Sequence, residues 1–442
     1  MSSLEKGGAI LITFLFLFGI ITQLFSQSIP IGSRGRVNYQ GEFGFTYWFF
    51  PIKRDNSSID DHLANFYGEV DMVYQSDHPF EIRFNPKVLF PIETIDRLKT
   101  FRFNNFYLNY FKGIFSSWVG YKIFDWSIVE SRSPTDFINQ RYLEQNAISP
   151  EKFGELAVHL RLSLSKKNKR FIEFVYLPHF TPSLLPEVGN RYDFFAEKRH
   201  HIKNLDSRYN YQSSLKKWRP QAVVRFSSTV TDFDYSLFYF NGYERLSGII
   251  FRHGKTDLAF NHEYRTTHLV GLALKKQIGH LIIKAEGVLN QYQNDIQMAE
   301  RGLGSDNKII KVPPYFIYAG GVEYMFHKTK DQRDMSVFLE ILGDTDSERL
   351  PTELDQINPF TSHLFTGYKY SDKASSHRTF SLGIYFDYLE YDIYGNFEYS
   401  QRLLKNVRLK GGLSHVYSKS DNSQLKVFHR FTRLAGETIL TF

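Results

Sequence analysis

The chain ends on residues 433–442, RLAGETILTF, in which apolar and polar side chains alternate. Leu440 and Phe442 fall on one face of an extended strand, and Glu437, Ile439 and Thr441 fall on the other, because successive side chains of a strand point to opposite faces. Chain ends usually fray unless pairing holds them. In a closed barrel the last strand pairs with the first, which leaves no open edge. The stretch therefore predicts a closing strand whose final residues are structural.

The same alternation recurs along the chain. In the stretch LIIKAEGVL, Leu281 and Ile283 share one face, and Lys284 and Glu286 share the other. Charged side chains occupy the second face in the same way in residues 65–74, 158–164, 221–230 and 391–400. Each stretch predicts a β-strand with one apolar and one polar face. Alternation alone does not distinguish a soluble β-sandwich from a membrane barrel.

The connections between strands separate these two architectures. The pattern predicts strands at 36–50, 63–76, 80–90, 101–112, 115–126, 154–165, 170–178, 219–230, 233–243, 264–276, 279–290, 314–327, 333–342, 361–370, 377–389, 391–404, 407–418 and 433–442. Connections after even-numbered strands are short, such as 113–114, whereas most after odd-numbered strands are long, such as 179–218. Short turns at one rim and long loops at the other are typical of outer-membrane barrels. The predicted fold is all-β: an antiparallel transmembrane β-barrel of about 18 strands, with 16 as the alternative, short periplasmic turns and long extracellular loops.

Composition agrees with this fold. Aromatic residues make up 17% of the chain, and such residues favour strands and form the interfacial girdles of membrane barrels. Cysteine is absent, which excludes disulfides, thiol nucleophiles and thiolate metal sites.

The amino-terminal residues have the pattern of a secretory leader. Lys6 precedes an apolar run over 9–21, which is shorter than a transmembrane helix requires and is typical of a signal peptide. We expect residues 1–27 to be a signal peptide and 28–442 to form a single barrel domain. An uncleaved amino-terminal anchor is the alternative. No later stretch reaches the ~20 apolar residues of a spanning helix.

The net charge of +7 is modest for 442 residues, and basic and acidic residues are interspersed. Nucleic-acid binding would require clustered basic residues on a recognisable module, so nucleic acid is not an expected partner. The expected surroundings are lipid and lipopolysaccharide of the outer membrane of a Gram-negative bacterium.

Three segments resemble a porin-like family of bacterial outer-membrane barrels of poorly defined function. The family has a W-G…D…N-P-x-D segment after an early strand, and residues 119–141, VGYKIFDWSIVESRSPTDFINQR, match it at Trp126, Asp136 and Asn139. Ser127 and Gln140 stand where the family has Gly and Pro. Residues 171–186 and 358–376 are similar to a later strand with a Pro-rich loop and to a late strand with a polar turn.

This resemblance implies an outer-membrane pore or transporter in which the loop from Trp126 to Asn139 folds inward, and it identifies no cargo. The chain end also resembles the terminal assembly signal of these barrels. Leu440 and Phe442 would then be the residues that the barrel-assembly machinery recognises.

The candidate lumen and constriction residues combine the charged face of the strands with this loop. They are Asp125, Trp126, Asp136, Asn139, Arg161, Arg225, Lys284, Glu286 and Glu398. Both signs are present, so the set predicts either a hydrated pore or cross-strand ion pairs that fill a non-conducting interior. Residues 133–136, Ser-Pro-Thr-Asp, also form a plausible turn in which Asp136 bonds nearby backbone. The turn and constriction interpretations both stay open on the sequence.

No catalytic, cofactor-binding or metal-binding residues are predicted. His200 and His201 are adjacent, so on an extended chain they point apart and make a poor metal pair. No serine lies in a recognisable catalytic motif. The predicted function is a porin-like channel for diffusion or weakly selective transport of small solutes. The alternatives are a non-conducting barrel that serves as a secretion or assembly partner and, less favoured, a barrel hydrolase. The sequence does not predict an oligomeric state.

Overall fold

In a computed structural model of the protein, the described residues are 28–31, 35–52, 61–91, 100–143, 150–165, 169–184, 204–211, 216–245, 248–253, 258–293, 296–299, 307–310, 313–326, 333–345, 354–356, 362–372, 377–419 and 432–442. The predicted signal peptide, 1–27, and the histidine pair at 200–201 lie outside them. Among the described residues, no helix has the length and apolar character needed to cross a membrane.

Eighteen antiparallel strands form one barrel wall. They are β1 Gly35–Phe49, β2 His62–Ser76, β3 Phe80–Pro91, β4 Thr100–Lys112, β5 Phe115–Lys122, β6 Glu155–Ser165, β7 Arg170–Leu177, β8 Gln221–Val230, β9 Phe233–Tyr243, β10 Thr266–Ile278, β11 Leu281–Tyr292, β12 Tyr315–Phe326, β13 Arg333–Asp344, β14 Ser362–Asp372, β15 Arg378–Asp387, β16 Ile393–Leu404, β17 Val407–Tyr417 and β18 Arg433–Thr441. Each strand pairs with the next in sequence, and β1 pairs with β18. The prediction of an 18-stranded closed barrel is confirmed.

Closure involves the two residues that the terminal stretch singled out. Leu440 pairs with Phe43 in the β1–β18 register. The backbone of Phe442 both donates to and accepts from Gly41, each bond measuring 2.9 Å. A Cβ on Gly41 would lie 1.9 Å from the Phe442 ring, so the ring lies over the glycine. The short strand Ser28–Ile31 then pairs with the start of β1, from Gly35 to Asn38.

We expect the Phe442→Ala variant to weaken barrel closure. The ring covers the glycine at the seam, and removing it loses apolar contact of about 1–2 kcal/mol. Urea unfolding of the refolded barrel should show this loss, while Phe442→Tyr, which keeps the ring, should unfold like the wild type. Equal stability of Phe442→Ala and the wild type would contradict the role of the ring.

The two faces of the wall differ as the alternation predicts. Large apolar side chains project outward from consecutive strands, among them Leu160, Phe174, Val224, Leu237, Val270, Leu289, Val322 and Leu339. Lys284, Glu286 and Glu340 on the other face are buried within the barrel. A closed barrel satisfies every ladder hydrogen bond and can therefore cross lipid. An even number of antiparallel strands and an apolar exterior are typical of outer-membrane barrels. The protein is therefore located in the outer membrane.

The two rims also differ. The connections at 77–79, 113–114, 231–232, 279–280 and 405–406 are tight turns, and we call this end the short-turn rim. At the long-loop rim, Asn204–Tyr211, Gly248–His253, Leu258–Tyr264 and Leu354–Gln356 form a separate four-stranded sheet, Ile296–Ala299 pairs with Asn307–Ile310, and Lys216–Trp218 is a 3-10 turn. The connection at 388–392 is an exception at this rim, because it is a tight turn.

One strand ends four residues earlier than predicted, whereas the other strand ends lie within two residues of the predicted ones. The alternation of residues 115–126 continues to Trp126, but β5 ends at Lys122. Phe124 lies instead in an apolar cluster with Trp118 and Ile138 inside the barrel, and Trp126 packs against that cluster. The chain leaves the sheet because these aromatic side chains are buried in the interior rather than exposed to lipid.

Candidate functional site

The segment that follows β5 folds into the lumen. We call residues 123–143 the inward loop. Asn139 closes its base: its Oδ1 accepts from the Phe124 N–H at 3.1 Å, and its Nδ2 donates to the Phe153 carbonyl at 3.0 Å. Asn139 is only 1% exposed, so it holds the loop and does not line an opening. The candidate lumen residue Asn139 is thus placed at the buried base of the loop.

Replacing Asn139 with the isosteric leucine should destabilise the barrel. Phe124 and Phe153 would each keep a buried backbone group without a partner, at about 1–3 kcal/mol each. The free energy of unfolding in urea would measure the loss. The control is Asn396→Leu, because the amide of Asn396 bonds one side chain, Glu398, at 3.3 Å. A loss no larger than that of the control would contradict the assigned role.

Apolar contacts fix one flank of the inward loop to the barrel wall. Trp126 and Phe137 pack on the cluster that includes Val223, Phe238 and Phe240. The Phe137 ring centroid lies 5.0 Å from that of Phe240 and 5.5 Å from that of Phe238. Trp126 is therefore an anchor of the loop on the wall.

Arg225 and Arg161 lie on the wall beside this anchor. The Arg225 guanidinium is 5.0 Å from the Trp126 ring centroid and 3.3 Å from Glu173. Arg161 stacks on Phe171 at 3.7 Å and lies 3.9 Å from Glu173. Both predicted residues face the interior, and both share Glu173 as a counter-charge.

Glu286 on β11 holds the middle of the inward loop. Its carboxylate accepts from the backbone N–H of Ile128 at 2.5 Å and of Val129 at 3.2 Å. It also accepts from the hydroxyl of Ser133 and from the hydroxyl of Thr135 at 3.0 Å. A buried carboxylate is stable only when its oxygens have such donors, so the loop and the glutamate stabilise each other.

Glu340 on β13 holds the tip of the loop in the same way. It accepts from the backbone N–H of Glu130 at 2.9 Å and of Ser131 at 2.8 Å. Beside it, Val129 packs against Phe338 and Phe365 of β13 and β14. The loop that begins at β5 thus reaches β13 and β14, which lie nearly half-way round the barrel.

Glu130 adds charge pairing at the tip. Its carboxylate pairs with Lys284 at 3.2 Å and with Lys369, and Lys284 also pairs with Glu323 at 2.5 Å. Burial acts to raise the pKa of Glu130, but the hydrogen bond and charge of Lys369 and the charge of Lys284 outweigh it, so the pKa lies below its usual value. These pairs therefore break at a lower pH than they would if Glu130 had its ordinary pKa.

Residues 133–136 do form a turn, with the Asp136 N–H 3.3 Å from the Ser133 carbonyl. The Asp136 carboxylate does not bond the local backbone; it pairs with Arg141 at 2.6 Å and Lys152 at 3.0 Å. Asp125 lies 3.2 Å from Lys152, with its side chain 72% exposed. Residues 133–136 therefore form a turn and also lie inside the barrel, so the two interpretations of this segment are compatible.

As far as the described residues show, the other half of the lumen is open beside the inward loop. A cavity of about 570 Å³ lies between the loop and the wall at Tyr385, Tyr394 and Asn396. A second, of about 880 Å³, is bordered by Trp48 and Arg433 near the long-loop rim and by His377 near the short-turn rim, and contains Glu398 on its wall. A third, of about 850 Å³, lies at the short-turn rim. All three are lined by Ser381.

Of the predicted residues, Asp125, Asp136 and Glu398 border these cavities. Lys284 and Glu286 face the interior as predicted, but they bind the inward loop. Glu130, Glu340 and Lys369 were not singled out from the sequence. The alternation places Glu340 and Lys369 on inward faces, but nothing local to them indicates the loop that they contact. Within the described ranges, no group of three His, Asp or Glu side chains could hold a metal ion.

No protein-family model and no curated protein match the chain. Among solved structures, it is similar to OccAB3 of Acinetobacter baumannii, with 9% identity, a TM-score of 0.46, and coverage of 93% of this chain and 100% of that one. It is also similar to Wzi of Escherichia coli, a carbohydrate-binding outer-membrane β-barrel involved in capsule assembly, with 8% identity, a TM-score of 0.47, and coverage of 90% and 84%. A mutant porin of Rhodopseudomonas blastica has 8% identity, a TM-score of 0.41, and coverage of 92% and 99%.

Proposed function

We propose that the protein is an outer-membrane channel for the passage of small solutes. The observation that carries this proposal is the open half of the lumen, where the largest of the three described cavities extends from Trp48 at one end to His377 at the other. An 18-stranded barrel is wide enough to leave an aqueous channel unless loops fill it. The middle and tip of the inward loop contact β11, β13 and β14, and its base, at Tyr142, packs in a cluster with Tyr67, Leu89 and Ile439. The cavity lies along the wall formed by the ends of β14–β18 and β1–β3 beside these contacts.

The lining suits hydrated solutes. The largest cavity is bordered by Thr46, Asn65, Glu69, Ser400 and Lys410 among others, and side chains of this kind remain hydrated in a water-filled lumen. The narrowest solute path would pass the tip of the inward loop, where Glu130 and Lys369 face Tyr394 and Asn396 across the smallest of the three cavities. The loop would then set the size limit, as a constriction.

Conductance of the refolded protein in a planar bilayer tests the proposal. Stable single-channel steps are expected in symmetric KCl, together with a reduced current when a neutral polymer small enough to enter the lumen is added. If the protein shows the heat-dependent change in gel mobility of a folded barrel but gives no conductance steps, the channel proposal is overturned. It would favour a non-conducting scaffold that acts as a secretion or assembly partner.

A barrel hydrolase is a weaker candidate. Such a site needs a nucleophile or water, a histidine and an orienting acid in mutual contact. His159 contacts Glu173 at 3.3 Å, but its ring stacks on Trp118 at 5.2 Å, and it is buried in the wall.

The proposed partners are outer-membrane lipid, lipopolysaccharide, the barrel-assembly machinery and small solutes.

A further inference from the structure

Five of the eight lysine and arginine side chains that line the three cavities form described ion pairs, and the other three are Arg132, Arg408 and Arg433. Every lysine that borders the three cavities is paired: Lys87 with Glu151, Lys152 with Asp125 and Asp136, Lys369 with Glu130, and Lys410 with Glu437. Arg141 is paired with Asp136. A paired charge contributes little to the potential a few ångströms away, because the opposite charge cancels it.

Three carboxylates on the same wall are not neutralised in this way. Glu42, Glu69 and Glu398 all border the largest cavity, and none has an ion-pair partner among the residues the structure describes. Glu69 accepts from the Asn85 amide at 2.9 Å, and Glu398 from the Asn396 amide at 3.3 Å. An amide satisfies a carboxylate oxygen but leaves its full negative charge in place.

The strand register makes two of these charges neighbours. Glu42 on β1 and Glu69 on β2 are directly opposite each other, and like charges in directly opposite positions are destabilising. On its other side Glu69 is directly opposite Lys87 of β3, whose ammonium group pairs with Glu151. A mobile cation passing along the wall relieves this repulsion, whereas an anion adds to it. Arg408 on β17 borders the same cavity and is likewise outside the described ion pairs. Its positive charge therefore reduces the preference for cations.

We infer that the channel prefers small cations, inorganic or ammonium-bearing, over anions, and that Glu42, Glu69 and Glu398 set this preference. The inference rests on the proposed channel function. It requires no bound ion, because excess charge on a low-dielectric wall raises the local concentration of counter-ions. The net charge of the chain, +7, would by itself predict a preference for anions.

Reversal potentials across a KCl gradient test it in the full-length refolded protein. At about 0.1 M salt, where the Debye length is about 10 Å, we expect K⁺ to be favoured over Cl⁻ by about threefold. The combined Glu42→Gln, Glu69→Gln and Glu398→Gln variant should bring the ratio close to one, and Arg408→Gln should raise it above the wild type. At 1 M salt, where the Debye length is about 3 Å, the wild-type ratio should fall.

The matched control removes the same three charges from exposed turns, as Asp77→Asn, Asp232→Asn and Glu390→Gln, and should leave the ratio unchanged. If the wild type conducts but is non-selective or prefers anions, or if the lumen variant behaves like the control, the inference is overturned while the channel stands. If no variant conducts, the proposed function itself fails. Heat-modifiability confirms that each variant is folded.

Discussion

The Glu286→Ala variant should conduct at least about twofold more than the wild type, in unsteady steps. Glu286 accepts from the backbone of Ile128 and Val129 and from the hydroxyls of Ser133 and Thr135. Losing the acceptor leaves the N–H groups of Ile128 and Val129 without a partner, at about 1–3 kcal/mol for each one that stays buried, while the two hydroxyls keep their hydrogen bond to each other. The loop should therefore detach from the wall and leave the lumen for part of the time, which raises the conductance in unsteady steps that single-channel recording would measure.

The control for this variant is Glu398→Ala. Glu398 borders the open cavity and makes no contact with the inward loop, so its removal should alter ion selectivity without making the steps unsteady. A second variant, Glu340→Ala, should resemble Glu286→Ala, because Glu340 holds the adjacent backbone of Glu130 and Ser131. Steady steps of wild-type size in both loop variants would show that Glu286 and Glu340 do not hold the loop.

The Arg245→Leu variant should lose about 3–5 kcal/mol of unfolding free energy. Arg245 lies just beyond β9 and is 4% exposed. Its Nε donates to the Ile138 carbonyl at the base of the inward loop and lies 3.6 Å from Glu155. Without the arginine, Glu155 remains buried with a hydrogen bond from the Gln140 N–H at 2.8 Å but without a counter-charge. Denaturant titration of the refolded barrel would measure the loss.

Two comparisons isolate the cause. The Arg245→Leu, Glu155→Leu double variant should recover at least about half of the loss, because removing both members of a buried ion pair is often close to neutral. Arg219→Leu is the matched control: Arg219 bonds Asn241 at 3.1 Å and Gln293 at 2.8 Å, both of them neutral, and should cost about 1–2 kcal/mol. Similar losses for both arginines, with no recovery in the double variant, would refute the ion-pair explanation.

The wall of the barrel was predictable from the sequence because its signals are local. A period of two assigns each side chain to a face within its own strand, and turn residues mark where the strand ends. Leu281, Ile283, Lys284 and Glu286 accordingly lie on the predicted faces. The largest disagreement in a strand end, at Lys122, occurs where the aromatic residues of the alternation pack against the interior instead of the lipid.

The roles of the inward-facing charges were not predictable in the same way. Alternation places Glu286 and Glu398 on the same kind of face, yet one is buried against the inward loop and the other borders the open cavity. The difference depends on where a loop leaving β5 meets β11 and β13. That position is set by barrel closure and by contacts between residues more than a hundred positions apart.

The sequence by itself determined the strand count, the alternating faces, the two unlike rims and the closing role of residues 440–442, since each depends on neighbours along the chain. Only the tertiary structure decided which lumen charges hold the loop, which pair with one another and which remain free on the open wall. The physical reason is that an electrostatic role depends on partners and hydration in space, and closing eighteen strands brings together side chains that no sequence period relates.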